Sequence, residues 1–390
     1  MNALTIASKE QFFEQLADAF TEKLSKPEAK KVIEFARQHY AHIPLEELVS
    51  RRFSDTYGAV LAAWQFLQKR AADETPVAVF NPELESDGWQ STHTVIFILH
   101  PNIPFLIDSL RMAINRQEIG THSLQHSIFR VERESSGKLK KLHPNPAAKA
   151  TGNAAFEAFI VLEVDRHSDP EDLRALEQGL QTVLHEVRIA VGDFGAMQER
   201  VKDICDELEN TTAGITAEER KEAQAFLRWM ADEHFTFLGY DEYDFVSDKK
   251  GMEVSRVAKS ELGILRVNNE RPDSVRLNEL PQRTRHEMTR TDDVFIFAKS
   301  AQRSRVHRPA YPDYIAVKKF NSKGEVVGER RFLGLYTARA YNERPVEIPL
   351  LRRKFQTVME RSGFLTDDYA GKELEQILTV YPRDELFQIA

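Results

Sequence analysis

The sequence is poor in cysteine, has no long apolar run and carries no excess of positive charge. Its 390 residues include one cysteine, Cys205. A single thiol excludes any intramolecular disulfide and fits a reducing cytosol. The longest apolar runs, around Val95–Leu99 and Phe159–Leu162, are strand-sized. They fall far short of the roughly 20 residues that a membrane-spanning helix needs. Met1–Glu10 lacks a basic patch followed by an apolar stretch, so no secretory signal is expected. Lys and Arg total 53 against 61 Asp and Glu, a formal net charge of −8. Nucleic-acid affinity rests on neutralising phosphates, so this balance gives no global reason to expect such a partner. The expected class is a soluble, globular, cytoplasmic protein with no membrane partner.

Other absences concern chemistry. A dinucleotide site would show a glycine-rich turn between a strand and a helix, and no GxGxxG occurs. Gly192–Gly195 and Gly334-Leu335 lack the spacing. There is no P-loop and no GxSxG. No catalytic residue, cofactor site or metal site is therefore expected within these residues.

What is present is patterned. Phe12, Leu16, Phe20 and Leu24, and later Tyr57, Val60, Leu61, Trp64 and Leu67, recur at helical spacing, with breaks at Pro27 and Pro44. This predicts a helical segment over 1–72, read as a cap on the next domain. From about Thr75 the pattern changes. Pro76–Phe80 and Thr94–Leu99 read as strands, and a helix comes next with Ile103, Leu106, Ile107, Leu110, Ala113 and Ile114 on one face, stopped by Gly120. Thr121–Val131 alternates as a strand. The stretch from Lys138 to Asn153 reads as a loop or hairpin tip, Phe156–Val164 as a strand, and Asp169-Pro170 opens a long helix. Strand, helix, strand, strand, helix is most of a ferredoxin-like βαββαβ unit, placed at 73–193. Its last strand is not evident, and Pro76–Phe80 is a candidate to take its place.

Helices at Ala196–Asn210 and Ala217–Glu233, joined by a turn at Thr211–Gly214, make a helical linker over 194–233. The region 234–345 reads as a second, β-rich α+β domain. Strands are expected at His234–Phe245, Ile264–Val267 and Val294–Ala298, with a hairpin of Asp313–Phe320 and Glu325–Tyr336. Helices at Ile348–Arg361 and Gly371–Val380 give a helical segment over 346–390. The fold class is α+β throughout.

Several constellations could carry chemistry. On a strand, His122 and His126 share a face about 13 Å apart, too far to ligate one ion. Arg303, Arg305, His307 and Arg308 could hold a phosphate or carboxylate, against the reading of a charged edge strand. Arg352-Arg353-Lys354 reads as a solvated helix face, and Arg383-Asp384-Glu385 as a local ion-pair network. The loop before the first long apolar helix offers more. His100, Asn102, Ile103 and Phe105 sit where free N–H groups at a helix start can hold a carboxylate, with Asn102 as a cap and Asp108 and Ser109 one turn in. An ordinary capped helix is the competing reading.

Six ordered blocks carry a resemblance. They are Pro104–Ser109 (PFLIDS), Phe226–Met230 with His234–Tyr240, Ser304–Pro309 continuing through Tyr311 and Asp313–Ile315, Gly328–Tyr336, Ile348–Lys354, and Tyr381–Gln388. In these the chain resembles the N-terminal region of the large NAD-dependent glutamate dehydrogenases, and the likeness covers nearly all of it. The resemblance implies an ACT-like domain at 73–193 and a regulatory or assembly role. It also implies a truncated piece of a longer enzyme that converts glutamate and NAD to 2-oxoglutarate, ammonium and NADH. NAD would be bound outside these residues. The partners implied are the enzyme's own catalytic region, sister subunits in a homo-oligomer, and an amino-acid effector at His100–Ser109. Many amino-acid-binding ACT domains have a glycine in that loop, where this sequence has Pro101 and Pro104. A structural module without a ligand, its aromatics near His234–Tyr243 exposed to hold neighbouring subunits, is the alternative.

Overall fold

The computed structural model describes residues 8–144, 153–211, 213–249, 251–267, 272–365 and 368–389. Parts of the loop expected at Lys138–Asn153 and of the turn at Thr211–Gly214 lie outside the described residues. The chain divides into two compact units, Met1–His185 and Glu186–Ala390.

Unit 1 opens with helices α1 (Lys9–Lys23), α2 (Lys26–His39), α3 (Leu45–Ser50) and α4 (Phe53–Leu67). Ser8 caps α1 by accepting from the Gln11 amide at 3.3 Å. Pro27 sits in the first turn of α2, where its missing N–H costs nothing. After these come β1 (Val77–Phe80), a single turn α5 (Leu84–Asp87), β2 (Thr94–Pro101), α6 (Leu106–Arg116), β3 (Thr121–Arg133), β4 (Leu139–Leu142), β5 (Ala155–Val164) and α7 (Pro170–Gly192), within which the boundary between the units falls.

The five strands form one sheet in the order β1-β2-β5-β3-β4, every neighbour antiparallel. β1 lies on the outer edge of β2, the place left for a last strand. β2 and β5 read as nearly unbroken apolar runs because both of their faces are covered. One face presents Val95, Phe97, Leu99, Phe129, Val131 and Phe159 to the buried stripes of α1, α2 and α4. Phe35 of α2 is fully buried there, its ring 5.3–6.0 Å from those of Trp64, Phe129 and Phe159. The other face presents Ile96, Ile98, Ala158, Ile160 and Leu162, all fully buried.

Unit 2 continues with α8 (Phe194–Asn210) and α9 (Ala217–Trp229), then β6 (Phe235–Asp248), β7 (Gly251–Arg256), β8 (Leu262–Gly263), β9 (Ser274–Arg276), α10 (Gln282–Thr289), β10 (Phe295–Lys299), β11 (Asp313–Phe320), β12 (Val326–Tyr336), α11 (Ala338–Asn342), α12 (Leu351–Ser362), α13 (Tyr369–Val380) and α14 (Arg383–Gln388). Six strands run in the order β10-β11-β12-β6-β7-β9, with β8 pairing off that path to β6. All described pairings are again antiparallel. α9 starts with a full capping box. Thr216 Oγ1 accepts from the Glu219 amide at 3.2 Å, and the Glu219 carboxylate accepts from the Thr216 amide at 2.8 Å. Thr216→Ala is expected to lower the stability of the protein by about 1 kcal/mol, read as a shifted urea midpoint at constant slope.

Several expectations are corrected. Ile264–Arg266 is a 3-10 turn, not a strand, because Gly263 enters it with φ 61° and ends the pairing of β8. β4, β7, β9 and α10 are short and polar and carry no periodic signal. Gly120 does not stop α6, which ends at Arg116, with Glu118 at φ 57° turning the chain. Gly120 instead donates its amide to Asp165 at 2.7 Å. The aromatics near His234–Tyr243 are not exposed: Phe235, Phe237, Tyr240 and Tyr243 are all buried. Among the described residues, no helix is long and apolar enough to cross a membrane.

Candidate functional site

The start of α6 differs in detail from the site expected there. Proline disfavours helical backbone in the residue before it, so Ile103 cannot begin the helix ahead of Pro104. The first helical residue is Leu106. Asn102 is therefore not the cap; its amide instead donates to Phe156 O at 2.9 Å, extending the β2–β5 ladder by one bond. The cap position falls to Phe105, in left-handed backbone at φ 70° and without a side-chain cap bond. Such a conformation costs a non-glycine residue about 1–2 kcal/mol. His100 and Ser109 are fully buried, and His100 Nδ1 lies 2.7 Å from Pro101 O. Ile103 and Phe105 are half-buried, and Asn102 and Asp108 are exposed. The six residues thus divide between core and surface. The α6 amides of Leu106, Ile107 and Asp108 remain the polar groups at this helix start with no intrahelical acceptor.

Sequence reasoning passed over the polar groups that unit 1 buries most deeply. Glu157, on the central strand β5, is 1% exposed. Arg70 Nε donates to its Oε1 at 3.0 Å, Arg133 Nε to the same oxygen at 2.7 Å, and Arg133 Nη2 to Oε2 at 2.6 Å. Both guanidiniums also donate to backbone carbonyls, Arg133 to Leu67 and Gly137 and Arg70 to Ala71. The signal was a pair of carboxylates, Glu157 and Glu163, inside the apolar run of β5. On the same face Arg51 grips Glu163 with two bonds of 2.7 Å, beside a cavity of about 30 Å³ walled by His39, Tyr40 and Trp89. That volume holds a water or two. Burial pushes the Tyr40 hydroxyl up to about 12 and the His39 imidazole down to about 4. His122 and His126 both lie on β3, as expected, and His122 pairs with Asp165 at 2.7 Å.

In unit 2 the basic run is not an edge strand. Ser304–Pro309 is an irregular turn, and its arginines diverge. Arg305 meets Glu186 at 2.7 Å, Arg308 donates to Tyr336 O at 2.6 Å, and Arg303 lies over the Tyr311 ring. Arg383 and Asp384 reach far beyond a local network. Arg383 is 3% exposed and donates to the Glu343, Thr379 and Tyr381 carbonyls. Asp384 bonds Lys299 and Tyr341. Lys299 also lies 3.1 Å from Asp313, whose carboxyl burial raises to about 6. Arg352 pairs with Glu222, and Lys354 donates to the carbonyls of Leu386, Phe387 and Ile389 at the end of α14. Of that triplet Arg352 and Arg353 are exposed, as expected of a solvated face, and Lys354 is half-buried. Among the described residues, no group of three His, Cys, Asp or Glu side chains is placed to hold a metal ion.

Comparison with known proteins agrees with the blocks read from sequence. Residues 35–180 match the family described as glutamate dehydrogenase, ACT1 domain, and residues 348–390 match glutamate dehydrogenase, helical motif 1. The chain is 42% identical over 376 residues to the NAD-specific glutamate dehydrogenase of Halomonas elongata, covering 96% of this chain and 23% of that one. It is 40% identical over 390 residues to the enzyme of that name from Pseudomonas aeruginosa, covering 24% of it. It is 27% identical over 332 residues to the one from Mycobacterium tuberculosis, covering 84% of this chain and 19% of that one. The chain thus spans about a quarter of the length of the curated relatives it matches. On these matches it belongs to the NAD-specific glutamate dehydrogenase family, of whose members it corresponds to the N-terminal region.

Proposed function

We propose that this chain is a non-catalytic regulatory and assembly region of a large, cytoplasmic, homo-oligomeric NAD-dependent glutamate dehydrogenase. In the complete enzyme, glutamate and NAD would yield 2-oxoglutarate, ammonium and NADH, with NAD held outside these residues. The observation that carries the reading is the match to the ACT1 and helical motif 1 segments across a chain whose described strands all pair antiparallel. A dinucleotide fold is built on a mostly parallel sheet with the cofactor across its strand ends.

An amino acid acts as an effector only if it binds one state of the enzyme better than another. The α6 amides after Phe105 are the donors for its carboxylate, flanked by the residues from His100 to Ser109. A thermal-shift series of the common amino acids on this chain tests the sensor role. A ligand at about a hundred times its Kd stabilises by about 2.7 kcal/mol, a rise of a few degrees. No shift with any amino acid at millimolar levels removes the effector. Reduction of NAD by the same material given glutamate would overturn the non-catalytic reading. The strained Phe105 and the two prolines support the second reading, a packing module without ligand, because they restrict backbone approach and remove a donor.

A further inference from the structure

β10 is the outermost strand of the larger sheet, and its free edge forms the floor of a cleft of about 750 Å³. The ladder with β11 fixes which of its backbone groups are spent. Lys318 donates to Val294 O at 2.9 Å and Ser300 to Pro312 O at 2.8 Å, so positions 294 and 300 are hydrogen-bonded pairs. Bonded pairs alternate in an antiparallel ladder, so 296 and 298 face β11 as well. The N–H and C=O groups of Phe295, Phe297 and Lys299 therefore point away from the sheet, into the cleft. No described residue bonds to them.

Most of this edge lacks the usual protections; the one charge on β10, Lys299, stands at its end and is bonded to Asp313 and Asp384. Phe295-Ile296-Phe297-Ala298 contains no proline or charge, and its register with β11 has no bulge. It is flanked by two helical walls. Phe295 and Phe297 pack with Phe226 of α9 and Phe387 of α14 on one face. Ile296 packs on the other against the cluster that includes Met288 of α10. A strand edge at the base of a groove between helices is the geometry for adding an extended peptide as a further strand.

Charge selects the occupant. The carboxylates lining the cleft already have partners: Glu222 with Arg352, Glu287, Asp292 and Asp293 with Arg290, and Glu219 in the capping box. Two lining cations do not. Arg283 on α10 and Arg353 on α12 are exposed, and neither has an ion-pair partner among the described residues. They stand on opposite walls, and consecutive side chains of a strand point to opposite faces. We propose that the β10 edge is a docking site for an extended acidic peptide, which adds as a strand and sets two adjacent carboxylates against Arg283 and Arg353.

A labelled hexapeptide Thr-Val-Glu-Glu-Val-Thr, with blocked termini, is the probe. Saturable binding by fluorescence anisotropy is expected, together with slowed amide exchange at Phe295, Phe297 and Lys299. Replacing both glutamates of the peptide by lysine is expected to weaken binding at least ~10-fold, because like charges then face each other. Arg283→Ala and Arg353→Ala, both on exposed side chains, should each weaken it by roughly threefold. N-methylation separates strand addition from simple charge attraction. Methyl groups on one alternate set of peptide amides should abolish binding, and on the other set leave it. No saturable binding, binding equally lost or kept in both methylation phases, or unchanged exchange along β10 would each overturn the proposal.

Discussion

Replacing Glu157 by alanine is expected to cost unit 1 about 3–5 kcal/mol. The carboxylate is 1% exposed, and the side chains of its two arginine partners are 9% and 10% exposed. Deleting it strands two guanidiniums in a space largely closed to water, and an uncompensated buried charge costs more than the ion pair itself contributed. The damage spreads because the arginines do more than neutralise. Arg133 ties Leu67, at the end of α4, to Gly137 in the turn between β3 and β4. Arg70 pairs its own amide with Gly137 O at 3.0 Å. Glu157 is thus the anchor that orients both linkers from the middle of the sheet. Urea unfolding followed by circular dichroism measures the loss. A loss below about 1 kcal/mol would show that the triad is dispensable. A triple variant with apolar residues at 70, 133 and 157 should recover most of the stability, because no unpaired charge remains.

The second large effect is on pH dependence. His39 is stacked on Phe35 at 5.5 Å between ring centres, lies 5.3 Å from the Phe159 ring, and has Nδ1 2.9 Å from Ser127 Oγ. Burial holds the folded imidazole at about 4, below its ordinary value of 6.5. The folded state therefore keeps His39 neutral where the unfolded chain already binds a proton. Stability is unaffected above about pH 6.5, falls as pH drops through 6.5 towards 4, and has lost roughly 3 kcal/mol from this group at the end. Unfolding free energies at pH 7.5, 6 and 5 should show the decline, and His39→Asn should flatten it. An equally steep decline in that variant would assign the effect elsewhere. Asp313 of unit 2 has the opposite sign. Its raised carboxyl, at about 6, takes up a proton first in the folded state, so its contribution grows as pH falls from 6 towards 3.8.

The sequence was most readable where one periodicity governed a long element. The stripes of α4, α6 and α7 are written in residues of one helix face, and the apolar runs of β2 and β5 in residues buried on both faces of the sheet. It was least readable where geometry depends on partners distant in sequence. The left-handed Phe105 follows from Pro104 and a ladder bond to Phe156, neither of which a helical pattern records. The exposed aromatics expected near His234–Tyr243 turned out to be core because β12 and α9 cover them, and strand pairing across 90 residues leaves no local trace. Polar convergence was hidden for the same reason. Arg70, Arg133 and Glu157 come from three stretches, and only Glu157 stands out in its own surroundings.

The strand order of unit 1 bears on how the chain emerges from a ribosome. β5 is the last strand to be made, and it lies between β2 and β3, which do not touch each other. Until residue 164 is synthesised, the sheet can exist only as two separate pairs, β1 with β2 and β3 with β4. Isolated two-stranded pairs are marginal in water. The aromatic faces of β2 and β3 must therefore wait, unjoined, for a keystone that arrives last, and during that wait their open edges are what a chaperone would need to shield.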